Sequence, residues 1–379
     1  MMSFDTRTEH IPPEVTRVAG KIESAETHDY IASVSLKNGE LRNSKKITKS
    51  DVEELEKLFS LNGLHIAFNK AKQNKPSSRG VAIYERNLGT KLSIIRKQIL
   101  SETFYFGPYR EFIVKDPKWR LIAASPLKDR IIHWVLYDYL LAIFYPTFIK
   151  ESYGNIPKRG SSKALKKAVE LMKKKEYTYF LQIDFSKYFY SIHHDILLTQ
   201  IKRKIKNPLI FSLIEKLIRS FKTGADFDYL FKKESPYHST NDKGMPIGSL
   251  SSQLFANIYL SALDHYAKDF LGIKSYIRYV DDIIVFTKDK RHAQDILFLI
   301  NNYAKDLLKL ELHPKKMLIC PKEKGLRFVG YRVFEYHILP KVNPQKQIRK
   351  RMKIDATVSF PSTIGFLSQS NSHLYRKVA

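Results

Sequence analysis

The sequence predicts an α+β fold, with a sheet carrying helices on one face. Three stretches carry that reading. Tyr276-Ile277-Arg278-Tyr279-Val280-Asp281-Asp282-Ile283-Ile284-Val285-Phe286 reads as an apolar hairpin with two adjacent carboxylates at its turn. Residues 177–183 form a strand candidate that ends at Asp184. Between them, Leu254, Ile258, Ala262 and Tyr266 recur four apart, the spacing of one helix face, and predict a helix over 250–271.

The remaining elements follow in chain order. Residues 1–50 are polar and weakly patterned, and read as an N-terminal extension. Thr48-Lys49-Ser50-Asp51 resembles a helix start before Val52, Leu55 and Leu58. Residues 61–75 continue as basic helical sequence until Pro76-Ser77-Ser78-Arg79-Gly80 breaks it. From Phe104 to Pro126 the text turns strand-like, with a turn signal at Asp116-Pro117-Lys118-Trp119. Ile131, Trp134, Val135, Tyr139 and Leu140 mark a buried helix over 128–148. Basic clusters follow at Lys158-Arg159 and Lys173-Lys174-Lys175. Ile296, Ile300, Tyr303, Leu307 and Leu310 mark a helix after the double-aspartate hairpin, and residues 326–334 a strand or hairpin.

Composition narrows the partners. Lysine and arginine total 65 against 38 acidic residues, a formal net charge of +27. Such an excess repels itself unless a polyanion binds it. Aromatic residues make up 12% of the chain, with 22 Tyr and 23 Phe. Cations for phosphates and rings for bases are the chemistry of a nucleic-acid groove. Cys320 is the only cysteine, which excludes an internal disulfide and a multi-cysteine zinc site. The N-terminus has no apolar signal core, and no uncharged apolar run nears the ~18 residues of a membrane span. A cytoplasmic protein with no membrane partner is expected.

The carboxylates carry the chemistry. Adjacent aspartates repel, and charge in an apolar hairpin is costly to bury. A two-residue turn favours Gly or Asn, and this one has neither. A divalent cation shared with a third group resolves the repulsion. Asp184, at a strand end, suits that third place; it also suits a helix N-cap. Gly244-Met245-Pro246-Ile247-Gly248-Ser249 reads as a rigid loop entering a helix whose N-terminus favours phosphate. His193-His194 read as surface histidines, since zinc sites rarely use adjacent residues, and His313 and Cys320 lack the partners of a zinc site. The basic run from Lys346 to Lys353 suits a duplex backbone or a solvated helix face.

Asp184-Phe185-Ser186-Lys187-Tyr188-Phe189, residues 244–257 and Tyr279-Val280-Asp281-Asp282 occur in an order and spacing similar to those of reverse transcriptases. Gly107-Pro108-Tyr109-Arg110-Glu111-Phe112 and Lys128-Asp129-Arg130-Ile131-Ile132-His133 extend the match to roughly residues 100–340. The chain resembles bacterial reverse transcriptases of the group II intron, diversity-generating retroelement and defence-associated lineage.

The resemblance implies a right-hand polymerase. Residues 1–50 would be the extension, 51–175 the fingers, 176–335 the palm, and 336–379 a short helical thumb with a basic C-terminal region. It implies two Mg²⁺ ions, with Mn²⁺ as a substitute, on Asp184, Asp281, Asp282 and the Phe185 carbonyl. Phe189 would exclude a 2′-hydroxyl, and is otherwise a core ring. Lys115 and Arg120 would grip the triphosphate of a deoxynucleoside triphosphate. Ile247 and Gly248 would line the nucleotide pocket. Lys316 would protonate leaving pyrophosphate, and Phe328-Val329-Gly330-Tyr331 would be the primer grip. Ile247 replaces the glutamine found in many relatives, and implies error-prone copying. Diversity-generating enzymes share this branched apolar residue, whereas the stretch from Gly154 to Ala164 departs from their pattern. The expected function is copying a structured noncoding RNA into DNA, in antiviral defence. The alternatives are an error-prone enzyme of a diversity-generating retroelement, and a non-catalytic RNA-binding protein on a polymerase fold. An accessory protein or a second copy of the chain is a further expected partner.

Overall fold

Thr48 opens the first helix by the expected route. Its hydroxyl accepts from the Asp51 backbone N–H at 3.2 Å, and the Asp51 carboxylate accepts from the Thr48 N–H at 2.9 Å. The computed structural model describes residues 47–73, 79–115, 119–221 and 242–340. The expected arm before residue 47, the Pro76-Ser77-Ser78 break, the centre of the Asp116–Trp119 turn, the Lys346–Lys353 run and nearly all of the expected thumb lie outside these residues.

Helices α1 (Lys49–Leu58), α2 (Leu61–Lys72), α3 (Arg79–Glu85) and α4 (Leu88–Leu100) come first. Strands β1 (Arg110–Lys115) and β2 (Trp119–Ala124) pair antiparallel, Arg110 opposite Ala124 and Lys115 opposite Trp119. Helix α5 (Leu127–Phe144) follows, then α6 (Ser161–Lys173), β3 (Tyr179–Ile183), α7 (Tyr188–Ser191), α8 (His194–Lys202) and α9 (Pro208–Arg219). Helix α10 (Leu250–His265) continues into a π-helical turn over Tyr266–Phe270. Strands β4 (Tyr276–Tyr279) and β5 (Asp282–Thr287) precede α11 (Lys290–Leu307). Strands β6 (Leu318–Pro321), β7 (Leu326–Phe328), β8 (Tyr331–Val333) and β9 (Ile338–Pro340) complete the described chain.

The main sheet has the order β4-β5-β3-β6. Its pairs are antiparallel, with Ile183 opposite Ile283 and Tyr279 opposite Asp282. Side chains alternate across a strand, so an all-apolar strand needs cover on both faces. Leu181, Ile183, Ile283 and Val285 enter a core with Ile258 of α10 and Ile296 and Ile300 of α11. Phe180, Ile284 and Phe286 face the other way, against Ala164, Ala168, Leu171 and Met172 of α6 and Phe328 and Val333 of the β7-β8-β9 sheet. The sheet therefore carries helices on both faces, not on one. Both rows of β5 are apolar, which leaves neither face for solvent.

The first core is continuous from Leu55 of α1 through Ile131 and Leu136 of α5 to Leu312, so the expected fingers and palm share an interior. Among the described residues, no helix is long and apolar enough to cross a membrane.

Candidate active site

Two strand ends and one hairpin bring the predicted carboxylates together. Asp184 follows β3, and the Val280-Asp281 turn joins β4 to β5. Val280 has φ 59°, the left-handed region that a β-branched residue rarely enters. Such a conformation persists only where its surroundings hold it, at about 1–3 kcal/mol of strain. The turn thus solves its missing glycine by force.

The surroundings are visible. The Arg278 side chain is wholly buried and forks onto Asp264, Nε to Oδ1 at 2.7 Å and Nη2 to Oδ2 at 2.6 Å. Burial alone would lower its pKa, but Asp264 beside it drives it above the ordinary value. Arg278 Nη1 donates to the Val280 carbonyl at 2.8 Å and to Asn257 Oδ1 at 2.9 Å. Asn257 Nδ2 in turn donates to the Gly154 carbonyl at 2.9 Å. Gly154 lies so close to the turn that an added Cβ would collide with the Val280 backbone nitrogen. The Gly154 segment is braced by Arg159, whose guanidinium donates to the carbonyls of Ile149, Ser152 and Phe148.

Electrostatics join the acidic groups. Burial first, then the Asp184 carboxylate, raises the Asp281 pKa to about 6 from an ordinary 3.8; Asp282 adds to this and Lys316 opposes it. Lys316 reaches the site because residues 311–313 run beside the Asp184 segment. Ser186 N–H donates to the Glu311 carbonyl and His313 N–H to the Asp184 carbonyl, each at 2.8 Å. The Lys316 ammonium then donates to Asp184 Oδ2.

The other predicted residues surround this centre. Phe185 is buried against Tyr188, with ring centroids 5.9 Å apart. Phe189 is partly buried, and its carbonyl accepts from Met245 N–H at 2.8 Å, which ties its turn to the Gly244 loop. Ile247 accepts from Ala123 N–H at 3.0 Å through its own carbonyl. Gly248, at φ 103°, is so close to Ile122 that an added Cβ would stand 2.9 Å from its Cγ2. The loop is thus hydrogen-bonded to the β1-β2 hairpin. Lys115 and Arg120 stand exposed on that hairpin, with the Lys115 ammonium 4.9 Å over the Trp119 ring. Val329 and Gly330, at φ 37° and 95°, turn the chain between β7 and β8. Phe328 and Tyr331 are buried in that hairpin, with Phe328 edge-on to Tyr279 at 6.3 Å. Gln182 Nε2 donates to the Arg327 carbonyl at 3.2 Å, which couples the hairpin to β3.

The sequence assigns no role to Arg278, Asp264, Asn257 or His133, and His194, expected at the surface, is wholly buried with Nε2 2.8 Å from the Gly244 carbonyl. His133 is buried, with Nδ1 2.8 Å from Ser251 Oγ and 3.0 Å from Ser249 Oγ. Burial, then Arg130, lowers its pKa to about 3, so the neutral ring links α5 to the start of α10. The signal for Arg278 was present, since a cation inside an apolar strand needs a buried anion.

Among the described residues, no three acidic, imidazole or thiol groups already form a metal cage. The donor set nonetheless suits a hard cation. Asp281 is burdened by two neighbouring carboxylates, and an ammonium already neutralises Asp184.

The sequence model of the family described as reverse transcriptase (RNA-dependent DNA polymerase) matches residues 113–333. The chain belongs to the reverse transcriptase family. The matched span holds every predicted site residue, from Lys115 to Tyr331. The chain is 24% identical to the putative COX1/OXI3 intron 2 protein of Saccharomyces cerevisiae, covering 76% of this chain and 42% of that protein. It is 24% identical to protein YkfC of Escherichia coli, over 71% of this chain and 78% of that one. The group II intron-encoded protein LtrA of Lactococcus lactis subsp. cremoris is also 24% identical, over 76% of this chain and 58% of LtrA. The chain spans less than half the length of the Saccharomyces cerevisiae intron proteins it matches. The resemblance to the group II intron-related lineage holds, and the mixed helix-and-sheet chain is the one a right-hand polymerase family implies.

Proposed function

We propose that the chain is an RNA-directed DNA polymerase whose reaction centre is Asp184, Asp281 and Lys316. The observation that carries this reading is geometric: Asp184 follows β3 beside β5, at whose strained Val280-Asp281 turn Asp281 stands, and the Lys316 ammonium donates to Asp184 Oδ2. Asp184 and Asp281 would hold two Mg²⁺ ions, with the Phe185 carbonyl and Asp282 in support. When bound, they supply a lowered pKa for the primer hydroxyl and charge neutralisation for pyrophosphate. Lys316 then carries the proton that leaving pyrophosphate takes up. Phe189 sits beneath the sugar, and the exposed Lys115 and Arg120 meet the triphosphate. Phe328, Val329, Gly330 and Tyr331 support the primer end. Primer extension on RNA with Mg²⁺ tests the reading. The parent should extend and Asp281→Asn should not, while RNA binding survives. A parent that binds RNA but never extends would favour the non-catalytic reading.

The template proposed is a structured noncoding partner RNA, for which the net charge of +27 is the support. Sequencing RNA that copurifies with the chain tests it, and random cellular RNA would count against it. Antiviral defence is the role proposed for the copying, on the departures in sequence at Gly154–Ala164 and in the N-terminal extension. Cells with the chain and its RNA should survive phage that kill cells with Asp281→Asn. Equal survival would remove that role.

A further inference from the structure

Four features converge on one peptide. Arg278 bonds the Val280 carbonyl from beneath. Asn257 holds the same guanidinium and, with its other amide atom, the Gly154 carbonyl. Gly154 presses on the Val280 nitrogen with no room for a methyl group. Val280 itself is in a conformation that is strained unless imposed. Asp264 fixes the guanidinium by a fully buried two-point bond, and Tyr276 Oη donates to the same carboxylate at 2.7 Å. The backbone joins in. Arg278 N–H donates to the Glu151 carbonyl and Tyr153 N–H to the Arg278 carbonyl, each at 2.9 Å.

A buried ion pair adds little to stability alone, because desolvation offsets most of its attraction. A network that both buries an arginine and directs one of its donors to a turn carbonyl is better matched to fixing a geometry. The residue after that carbonyl is Asp281. Turning the Val280 peptide would swing its carboxylate, and small displacements of a reacting group slow a reaction steeply.

We propose that Arg278 is a positioning residue, which with Asn257 and Gly154 clamps the Val280 peptide and thereby sets where the Asp281 carboxylate stands. The proposal rests on Asp281 being a metal-holding carboxylate. It also explains the Gly154 segment, whose glycine is one jaw of the clamp. Arg278→Lys keeps the charge and loses the fork. Gly154→Ala leaves both carboxylates and Arg278 untouched. Gly154 is not among the residues at positive φ, so alanine there acts by pushing on Val280 and on the Tyr279 carbonyl carbon that precedes it.

The test compares parent, Arg278→Lys, Gly154→Ala and Asp281→Asn. Each is titrated with Mn²⁺, read by the loss of the free-ion electron paramagnetic resonance signal, and assayed for single-nucleotide addition on a primed RNA. Both clamp variants should keep template affinity and nucleotide KM within about threefold, yet lose about 100-fold in addition rate and about tenfold in Mn²⁺ affinity. If Arg278→Lys does not fold, Gly154→Ala carries the comparison. A folded clamp variant with parental rate and Mn²⁺ affinity would overturn the proposal. Extension by Asp281→Asn would instead withdraw the site assignment itself.

Discussion

Arg278 and Asp264 form a two-point ion pair with neither side chain exposed, 14 residues apart in sequence, and Arg278 also bonds the carbonyl of the Val280-Asp281 turn. Removing one partner strands a buried charge, whereas removing both leaves an apolar gap. Asp264→Ala should therefore lower unfolding free energy by about 3–5 kcal/mol. Arg278→Met with Asp264→Leu should recover most of that loss. Urea unfolding of the single and double variants checks it, and equal losses would show that the charge pairing is not what matters.

Asp281 should make stability depend on pH in the direction opposite to most carboxylates. Its folded pKa, about 6, lies above the ordinary 3.8. Between these values the folded state holds more protons, so stability falls as pH rises through that window. Two units correspond to about 3 kcal/mol at most. Because the carboxylate retains some solvent contact, about 1–2 kcal/mol is the expected effect after screening. Asp281→Asn should exceed the parent by that amount above pH 6 and match it below pH 3.8 in metal-free buffer. Thermal melts across this range check it; parallel curves would refute it.

Lys316 opposes the rise of Asp281 and bonds Asp184. Its replacement by alanine removes a cation beside Asp184 and, with it, the proposed proton donor. Nucleotide addition should slow by about 100-fold or more, the usual range for a general acid. The acidic limb of the rate profile should move to higher pH, because the group that held Asp281 down is gone. Rapid-quench measurements on Lys316→Ala and Lys316→Arg separate the two effects, since arginine keeps the charge but does not give up its proton.

Ile247 is anchored by its backbone, through the Ala123 hydrogen bond, so its side chain can be changed without unseating the loop. Ile247→Gln should fold as the parent does and lower misincorporation on a fixed RNA template. An unchanged error spectrum would remove Ile247 from fidelity. In contrast, Gly248→Ala meets both a positive φ and Ile122, and should weaken nucleotide binding by moving the loop.

Phe189→Ala should admit ribonucleotides. If the ring lies under the sugar, opening that space should raise ribonucleotide incorporation by about tenfold or more relative to deoxynucleotides, as loss of a steric barrier of about 1.4 kcal/mol would. Competition between the two nucleotide types on one primer measures it.

Much of the carboxylate centre was legible because its chemistry is local. Two aspartates in an apolar run advertise a need for cations, and Asp184 closes a strand that is apolar almost throughout. Lys316 was legible only through family resemblance, since its contact with Asp184 depends on a segment folding back from 132 residues away. The clamp was not read at all. Arg278 showed that an anion must be near, but Asp264 lies on another element and looks in sequence like an ordinary helix residue. Helix α6 was missed for a different reason. Ala164, Leu165, Ala168, Leu171 and Met172 have helical spacing, but the surrounding lysines drew attention to charge rather than period. The expectation of helices on one face only follows from leaving α6 out.

The central position of β3 has a consequence for motion. It is paired on both edges and buried on both faces, so its amides should be among the last to exchange with solvent. Asp184 hangs from the end of this slow strand. The β1-β2 hairpin is the reverse: two strands, with Phe112, Val114 and Trp119 open to water. Its opening should be fast and local. Deuterium would thus enter the β1-β2 hairpin long before it reaches the strand that carries Asp184, a molecule with a quick hand over a still bench.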